Sequence, residues 1–243
     1  MPQFFVETLS GDTVLITGED ARHIARSLRC RVGEELTLCD GAGTVCRCAI
    51  TGICADRVEL AVLERGVSKA EPPVFVTLYQ ALPKADKLEW IVQKATELGV
   101  GAMVPVQTRF CVSRPDERAM EKRLERLHKI ALEAAKQSGR GRIPAVLPPV
   151  SFAEAVSRMA ADRGAVFFYE KAAQTLGRTL ADRPESISIM VGPEGGFSQE
   201  EAAAAQEAGI PLCTMGPRIL RCETAPLYAL SAIMYTYENS VPD

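Results

Sequence analysis

The first 70 residues consist mainly of short stretches in which apolar and polar side chains alternate. This alternation is the period of a half-buried β-strand, and it predicts strands over residues 34–39, 45–53 and 58–63. In the second of these stretches, Cys46, Cys48 and Ile50 share one side, which we expect to face a core. A short helix is predicted over residues 20–28. Short strands joined by tight turns predict a small β-barrel or β-sandwich.

Glu71-Pro72-Pro73 is the best candidate for a domain boundary, because consecutive prolines stiffen the chain and exclude helix. After it, buried strands alternate with amphipathic helices. Strands are predicted over residues 74–82, 102–106, 165–169, 187–191 and 212–215. Helices are predicted over residues 86–98 and 224–237, and from residues 115, 151 and 198 onward. We therefore expect two domains, 1–70 and 74–243, the second with a parallel sheet covered by helices on both faces.

Local signals mark the ends of several of these helices. Ser151 with Glu154, and Ser198 with Glu201, have the spacing of a capping box, in which the two side chains satisfy free backbone N–H groups. Gly99 stands where the stop of the first of these helices is expected.

Basic residues are concentrated in two segments, although the whole chain has a net charge of -3. Residues 109–142 carry ten Lys or Arg against five Asp or Glu, and residues 21–31 carry four arginines and no acid. In the helix that starts at Pro115, the basic side chains project from the face opposite an apolar stripe that includes Met120 and Leu127. This segregation favours a polyanionic partner held on one face. The alternative is a pair of ordinary solvated helix faces.

The composition is that of an ordinary globular protein, with 47% hydrophobic and 24% charged residues. No apolar run is long enough to span a bilayer, and the N-terminus lacks the pattern of a signal peptide, so we expect a cytoplasmic protein with no membrane partner. The eight cysteines include no C-x-x-C pair, and the chain has two histidines. Because structural zinc sites usually show close ligand pairs, we expect no metal.

Two glycine-containing turns near the carboxyl end are the most informative part of the chain. The first turn, residues 191–198, reads V-G-P-E-G-G-F-S, and the second turn, residues 215–225, reads M-G-P-R-I-L-R-C-E-T-A. Each follows a predicted strand and leads into a helical pattern. Glycine lets the backbone approach a ligand closely and adopt angles that a side chain forbids. Together the turns predict a pocket lined by backbone, with charged side chains at its rim.

The first turn has neither the G-x-G-x-x-G spacing of a dinucleotide fold nor the Lys-Ser/Thr of a phosphate-binding P-loop. Glu194 would repel a phosphate, so the turn suits a neutral or cationic ligand, such as an adenosine that carries a sulfonium. The alternative is a tight turn without a ligand, which a single glycine turn would favour. Both turns together, with Arg218, Arg221 and Glu223 beside them, favour a binding site.

Arg221 and Glu223 are the candidate functional side chains of the second turn. The apolar pair Ile219-Leu220 precedes them, which indicates that the turn is partly buried, and a buried charge requires a partner. Either one of the two charged residues faces the pocket while the other forms a structural ion pair, or the two pair with one another.

The two turns resemble those of the RsmE family, ribosomal RNA methyltransferases of the SPOUT superfamily. The likeness covers nearly the whole chain and is most specific in these turns. Further matching residues in the C-terminal part are Lys84, Lys87, Lys94, Glu97 to Val100, Glu133 to Ser138, Arg140 and Pro144. In the N-terminal part the matching residues are His23-Ile24, Leu28-Arg29, Gly33 and Asp40-Gly41.

The resemblance implies an α/β fold whose C-terminal parallel sheet, with helices on both faces, forms a deep trefoil knot, an exception among protein chains. It also implies a small N-terminal PUA-like β-barrel that binds RNA, and a homodimer with the cofactor site near the dimer interface. The implied reaction is S-adenosylmethionine-dependent methylation of a uridine N3 in the decoding region of 16S ribosomal RNA. The implied partner is this RNA or the small ribosomal subunit.

The resemblance and this chemistry together suggest site residues. Arg221 would stabilise negative charge on the uracil oxygens, and Glu223 would accept the N3 proton. The residues expected to bind the cofactor are Tyr169, Glu170, Gly192, Glu194, Gly196, Met215, Gly216, Ile219 and Leu220. The residues expected to bind RNA are Arg22, Arg26, Arg29, Arg118, Lys122, Arg126 and Arg140.

The chain departs from the family pattern at a few positions. Gln3 stands where an arginine is common, Arg109 is a basic residue moved by one place, and Met215 and Cys222 replace the commoner leucine and threonine. Three other functions stay open. They are a SPOUT enzyme for another RNA position or a ribose 2′-hydroxyl, a non-catalytic RNA-binding protein of ribosome assembly, and a nucleotide-dependent metabolic enzyme.

Overall fold

The computed structural model describes residues 2–239 and divides them into two compact units. The first unit contains the described residues up to Glu71 together with Ala135–Ile143. The second unit contains Pro72–Ala134 and the described residues from Pro144 onward. Within the described range, no helix combines the length and the apolar character that crossing a bilayer requires.

The first unit is built on a five-stranded sheet. Its strands are β1 (Gln3–Phe5), β2 (Thr13–Thr17), β3 (Glu35–Cys39), β4 (Thr44–Ile53) and β5 (Arg57–Val67). They lie in the order β1-β3-β4-β5-β2, with β1 parallel to β3 and the other pairs antiparallel. Helix α1 (Gly18–Arg22) follows β2 and continues into a π-helical turn (His23–Ser27). The β-rich N-terminal part predicted from the alternating pattern is therefore confirmed.

The alternation along β4 decides which side chains enter the core of this unit. Cys46, Cys48 and Ile50 are fully buried, whereas Val45 and Arg47 on the opposite side are partly exposed. The cysteines of the chain are free thiols, and the two in β4 pack among apolar side chains. They act as small core residues, as their spacing in the sequence predicts.

The segment Ala135–Ile143 belongs to the first unit although it follows a long stretch of the second. The Glu71 carboxylate accepts a hydrogen bond from the Arg140 guanidinium at 2.7 Å and another from the Arg142 backbone N–H at 3.0 Å. The Arg140 side chain is only 3% exposed, so this ion pair is largely removed from water. This ion pair is one of the contacts that join the segment, expected in the C-terminal domain, to the N-terminal unit.

The second unit is built on an eight-stranded sheet in the part of the chain that the structure describes. Its strands are β6 (Phe75–Ala81), β7 (Ala102–Gln107), β8 (Ala145–Val146), β9 (Val150–Ser151), β10 (Val166–Phe168), β11 (Gln174–Thr175), β12 (Ser186–Val191) and β13 (Leu212–Thr214). They follow the order β11-β13-β10-β12-β6-β7-β8, and β9 pairs with β7. Each of these pairings is parallel. The predicted α/β fold class is therefore confirmed.

Helices alternate with these strands. They are α2 (Lys87–Glu97), α3 (Glu117–Ser138), α4 (Phe152–Ala160), α5 (Leu176–Leu180), α6 (Gln199–Glu207) and α7 (Ala225–Glu238). Gly99 and Gly209 follow α2 and α6 with φ of +88° and +82°, the left-handed conformation that ends a helix. Along α3, Met120 and Leu127 are buried whereas Arg118 is exposed, so the predicted amphipathic character is confirmed.

The two predicted capping boxes differ in the structure. At α6, the Ser198 hydroxyl accepts from the Glu201 backbone N–H, and the Glu201 carboxylate accepts from the Ser198 N–H at 2.9 Å, so the box is complete. At α4, the Ser151 hydroxyl accepts from the Glu154 N–H, but the Glu154 side chain bonds Arg158. That box is half formed because a cation one turn along the helix engages the glutamate.

Candidate functional site

A cavity of about 360 Å³ opens at the carboxyl ends of three adjacent strands of the parallel sheet. Phe168 ends β10, Val191 ends β12 and Thr214 ends β13, and all three residues line the cavity. Loops that leave neighbouring parallel strands diverge at this edge, where α/β sheets bind their ligands. The volume falls within the range of roughly 300–1,000 Å³ that is usual for small-molecule pockets.

Both glycine-containing turns contribute to the walls of this cavity. The nine residues assigned to a cofactor from the sequence all line it: Tyr169, Glu170, Gly192, Glu194, Gly196, Met215, Gly216, Ile219 and Leu220. Arg218 and Cys222 line it as well. The two turns are far apart in sequence, but β12 and β13 both neighbour β10, which brings their ends to one place. The role of these residues in binding stays a prediction.

Glycine is required in the first turn by both space and backbone angle. A Cβ at Gly192 would lie 3.1 Å from the Gly196 Cα and 3.2 Å from the Phe197 Cε2. Gly196 has a φ of +65°, and a Cβ there would lie 3.3 Å from the Glu170 Oε2. In the second turn, Gly216 has a φ of +97°. The glycines therefore shape the wall of the cavity.

Hydrogen bonds from other elements fix the position of the first turn. The Gln80 side chain, on β6, donates to the Gly192 carbonyl at 3.4 Å. The Glu201 carboxylate accepts from the backbone N–H of Arg109 at 2.8 Å while it also caps α6 through Ser198. Arg109, whose position departs from the family pattern, thus helps to support the turn through its backbone.

Lys87, the first residue of α2, bridges the two turns. Its ammonium lies 2.9 Å from the Glu194 carboxylate in the first turn and 3.1 Å from the Glu223 carboxylate in the second. Hydrogen bonds to these two carboxylates raise the pKa of the Lys87 ammonium well above its usual value. Burial raises the pKa of Glu194, but hydrogen bonds from Lys87 and from the backbone N–H groups of Glu194 and Lys84 outweigh it and lower that pKa overall. This bridge therefore consists of one positive and two negative charges at neutral pH.

Glu223 is held by Lys87, so the alternative in which it pairs with Arg221 is wrong. Burial raises the pKa of Glu223, but hydrogen bonds from its own backbone N–H, the Cys222 thiol and Lys87 outweigh burial and lower that pKa overall. A general base works best when its pKa lies near the operating pH. These contacts argue against the base role expected for Glu223 and favour a role in anchoring the second turn.

Arg221 has a different environment. Its side chain is exposed, and within residues 2–239 it makes no hydrogen bond or ion pair. Arg221 is not among the lining residues of the cavity, but its neighbours Leu220 and Cys222 are. Its guanidinium is therefore free to meet a ligand beside the cavity, which keeps the catalytic role predicted for it open.

The basic residues assigned to RNA fall into two groups. The exposed ones are Arg22, Arg26 and Arg29 in the first unit and Arg118, Lys122 and Arg126 on α3. Arg140 differs, because its buried side chain is paired with Glu71. Its guanidinium is not presented to an outside phosphate, so we remove Arg140 from the proposed RNA surface.

The chemistry available in the cavity comes from backbone groups, carboxylates and an arginine. Among residues 2–239, no group of three or more His, Cys, Asp or Glu side chains is placed to hold a metal ion. Burial, followed by the hydrogen bond to Glu223, raises the pKa of the Cys222 thiol to about 12, so the thiol is protonated at neutral pH. This arrangement suits binding and orientation of a ligand better than nucleophilic attack by the protein.

Sequence patterns predict no functional role for Lys87 or Gln80. A lysine in the first turn of a helix is unfavourable, because the helix dipole is positive there. Its presence at the start of α2 was therefore a signal that an anionic partner lies nearby. The partners themselves, Glu194 and Glu223, could be found only from the three-dimensional structure.

The sequence matches two described protein families. Residues 70–234 match a family described as an RNA methyltransferase domain. Residues 16–63 match a family described as an RNA methyltransferase PUA domain. The first match covers more than half of the chain and includes both glycine-containing turns.

Similar proteins extend over nearly the whole chain. The ribosomal RNA small subunit methyltransferase E of Bacillus subtilis is 37% identical in an alignment of 250 positions, gaps included, that covers 98% of this chain and 98% of that protein. The structure of the protein of the same name from Neisseria gonorrhoeae, bound to S-adenosyl methionine, has a TM-score of 0.87 and 36% identity, with 98% of each chain covered. A Legionella pneumophila protein, solved in complex with the cofactor SAM, has a TM-score of 0.82 and 29% identity over 96% of each chain. The chain therefore belongs to the RNA methyltransferase family that includes the ribosomal RNA small subunit methyltransferase E proteins.

Proposed function

We propose that this protein transfers the methyl group of S-adenosylmethionine to N3 of a uridine in the decoding region of 16S ribosomal RNA. The observation that carries the proposal is the cavity at the ends of β10, β12 and β13, whose walls include both glycine-containing turns. Two similar solved structures hold S-adenosylmethionine, and the similar curated proteins are ribosomal RNA small subunit methyltransferases. The choice of N3 and of the decoding region rests on the resemblance of the turns.

The volume of the cavity and the carboxylates in its wall are compatible with S-adenosylmethionine. Backbone groups that would hold the adenosine and methionine parts belong to Gly192, Gly196, Met215 and Leu220. The glycines keep the wall free of side chains, so a ligand can approach the backbone. Glu170 and Glu194 add negative charge, which attracts a sulfonium cation and repels a phosphate.

S-adenosylmethionine supplies an activated methyl group, so positioning should provide much of the acceleration. The N3 proton of uridine must leave before or during attack, and negative charge then develops on the uracil oxygens. The exposed guanidinium of Arg221, between two residues that line the cavity, is available to stabilise that charge. We assign Glu223 to anchoring the turn that carries Arg221, because Lys87 holds its carboxylate.

In this proposal, exposed basic residues of each unit bind RNA. They are Arg22, Arg26 and Arg29 in the first unit, and Arg118, Lys122 and Arg126 on α3. Arginine and lysine side chains bind phosphates without reading the base sequence, so they would position the RNA while the cavity selects the target. The match of residues 16–63 to an RNA methyltransferase PUA domain supports a role for the first unit in this binding.

The protein acts as a cytoplasmic homodimer in this proposal. Exposed aromatic side chains stand on two helices that pack together, Trp90 on α2 and Tyr228 and Tyr235 on α7. Exposed apolar surface favours a protein partner, and a second copy of the chain is the partner that the resemblance implies. The cytoplasm follows from a ribosomal substrate. The deep trefoil knot stays a prediction from the same resemblance.

Methylation of small ribosomal subunits that lack the modification tests the proposal. The subunits are incubated with the protein and S-adenosylmethionine labelled in its methyl group. The label is mapped to a nuclease fragment of the 16S RNA, and the nucleosides of that fragment are then analysed by mass spectrometry. We expect the label in 3-methyluridine at one position of the 16S RNA. Label in a 2′-O-methyl nucleoside would indicate another SPOUT reaction, and RNA binding without cofactor binding would indicate a non-catalytic protein. Free 16S RNA, assayed in parallel, shows whether the assembled subunit is required.

Replacing Gly192 with alanine should weaken S-adenosylmethionine binding about tenfold, which corresponds to about 1.4 kcal/mol. The added methyl group would lie 3.1 Å from the Gly196 Cα, so the turn must shift and change the cavity wall. Calorimetric titration measures the dissociation constant. The matched control is Gly177→Ala, because a Cβ at Gly177 meets no atom within 4 Å. Equal affinities of the parent and Gly192→Ala would contradict the assignment of this turn to the cofactor.

A further inference from the structure

One ammonium group connects the two turns of the cavity. The Lys87 Nζ lies 2.9 Å from Glu194 Oε1 and 3.1 Å from Glu223 Oε2. The Cys222 Sγ lies 3.6 Å from the same Nζ. Lys87 stands at the start of α2, so a rigid element outside both turns supplies the contact.

The bend that precedes α2 also holds the carboxylate of the first turn. The backbone N–H of Lys84 donates to both oxygens of Glu194, at 3.2 and 3.4 Å. For Lys87, the first residue of α2, the positive end of the helix dipole is unfavourable, and its two carboxylate partners compensate for it. The position of this lysine is therefore explained by its bonds to the turns.

We propose that Lys87 is a positioning residue that couples the two turns and fixes the spacing between the first turn and the loop that carries Arg221. The Lys87 ammonium and the carboxylates of Glu194 and Glu223 form this ion bridge. Lys87 itself does not line the cavity, so it acts through these residues. The consequence for S-adenosylmethionine binding rests on the proposed function, whereas the coupling of the turns does not.

From the charges of the bridge we expect that an apolar side chain would not substitute for Lys87. All three side chains of the bridge are partly buried, so their charges are screened less than on an open surface. Without the ammonium, two carboxylates that now share one nitrogen would repel one another. Both carboxylates would lose the partner that holds them, and each turn would lose a contact that fixes its position.

Hydrogen exchange of the cofactor-free protein tests the coupling directly. Lys87→Met removes the charge and keeps a side chain of similar length. We expect about tenfold faster exchange of backbone N–H groups in both turns, 192–197 and 216–223, because each turn loses the ion pair that holds it and opens more often. The strand β6 should keep the protection of the parent. Faster exchange in one turn only, or in neither, would overturn the proposal.

Lys84→Met is the matched control for this experiment. It makes the same chemical change three residues earlier, at an exposed side chain that has no ion pair among residues 2–239. The backbone N–H that Lys84 donates to Glu194 is unchanged by the substitution. We expect exchange in both turns to match the parent. Exchange as fast as in Lys87→Met would show that loss of any lysine in this segment is sufficient, and would overturn the specific role of Lys87.

Two further variants separate charge from bulk. Lys87→Arg keeps the positive charge and offers several donors to the two carboxylates, so exchange should stay within about threefold of the parent. Lys87→Met combined with Glu194→Gln and Glu223→Gln removes the repulsion, so part of the lost protection should return. If the turns exchanged as fast in Lys87→Arg as in Lys87→Met, or if the triple variant regained no protection from exchange, the charge-based bridge would be overturned.

Calorimetry with S-adenosylmethionine completes the test. We expect Lys87→Met to bind the cofactor about tenfold more weakly than the parent, and Lys87→Arg to bind it within about threefold. Parent affinity in Lys87→Met would overturn the effect of the bridge on the cavity. If the parent itself binds no S-adenosylmethionine, the proposed function fails, while the exchange measurements still decide whether Lys87 couples the turns.

Discussion

Alanine in place of Arg221 should lower the rate of RNA methylation by at least about 10²-fold, the effect of removing a group that stabilises developing charge. The fold should remain intact, because the exposed Arg221 side chain makes no hydrogen bond or ion pair within residues 2–239. Surface substitutions of this kind change the free energy of unfolding by about 0.5 kcal/mol or less. Single-turnover methylation of small subunits and thermal unfolding measure the two quantities.

The matched control for Arg221 is Arg178→Ala, which removes an exposed arginine on α5 that does not line the cavity. We expect this variant to methylate at the parent rate. A parent rate in Arg221→Ala would refute the catalytic assignment. A rate loss that is fully restored by a higher concentration of S-adenosylmethionine would instead assign Arg221 to cofactor binding.

Removing three exposed cations from α3 should weaken RNA binding and flatten its dependence on salt. Arg118, Lys122 and Arg126 recur at every fourth residue of the helix, so they share one exposed face. Each phosphate contact in single-stranded RNA contributes about 0.7 to the slope of log affinity against log salt. Replacing all three by alanine should therefore reduce the slope by about 2 and the affinity at low salt by about tenfold or more. Fluorescence anisotropy at several salt concentrations measures both.

A second triple variant controls for the change in net charge. Arg158→Ala, Arg163→Ala and Arg178→Ala together remove the same charge from other places in the second unit. If binding depends on the position of the charges, this variant should keep most of the parent affinity and slope. Equal losses in the two triple variants would mean that α3 is not a specific RNA surface.

The parallel sheet and the place of the cavity were predictable from local patterns. Buried strands that alternate with helices imply a parallel sheet, and such a sheet presents the carboxyl ends of its strands at one edge. Gly192 and Gly196 in the first turn, and Gly216 in the second, marked two of these ends. The residues around them could therefore be assigned to one pocket without knowledge of the strand order.

The side-chain pairings could not be predicted in the same way, because they join residues that are distant in sequence. Nothing in the sequence distinguishes Arg140 from the other basic residues of its segment, yet its side chain is buried against Glu71. The sequence made Glu223 a candidate base or a partner for Arg221, yet its carboxylate is bound by Lys87, the first residue of α2. Such pairings depend on strand order and helix placement, which short patterns of residues do not encode.

The N-terminal unit is encoded by two separate parts of the gene, because Ala135–Ile143 belongs to it and Arg140 pairs there with Glu71. A fragment that stops at the proline pair would encode a domain without the arginine that neutralises the Glu71 carboxylate. If recombination between relatives exchanged only the part of the gene that encodes the segment up to Glu71, the new segment would have to be compatible with the retained Ala135–Ile143. The two parts of this unit are therefore expected to be inherited together, as a co-adapted pair.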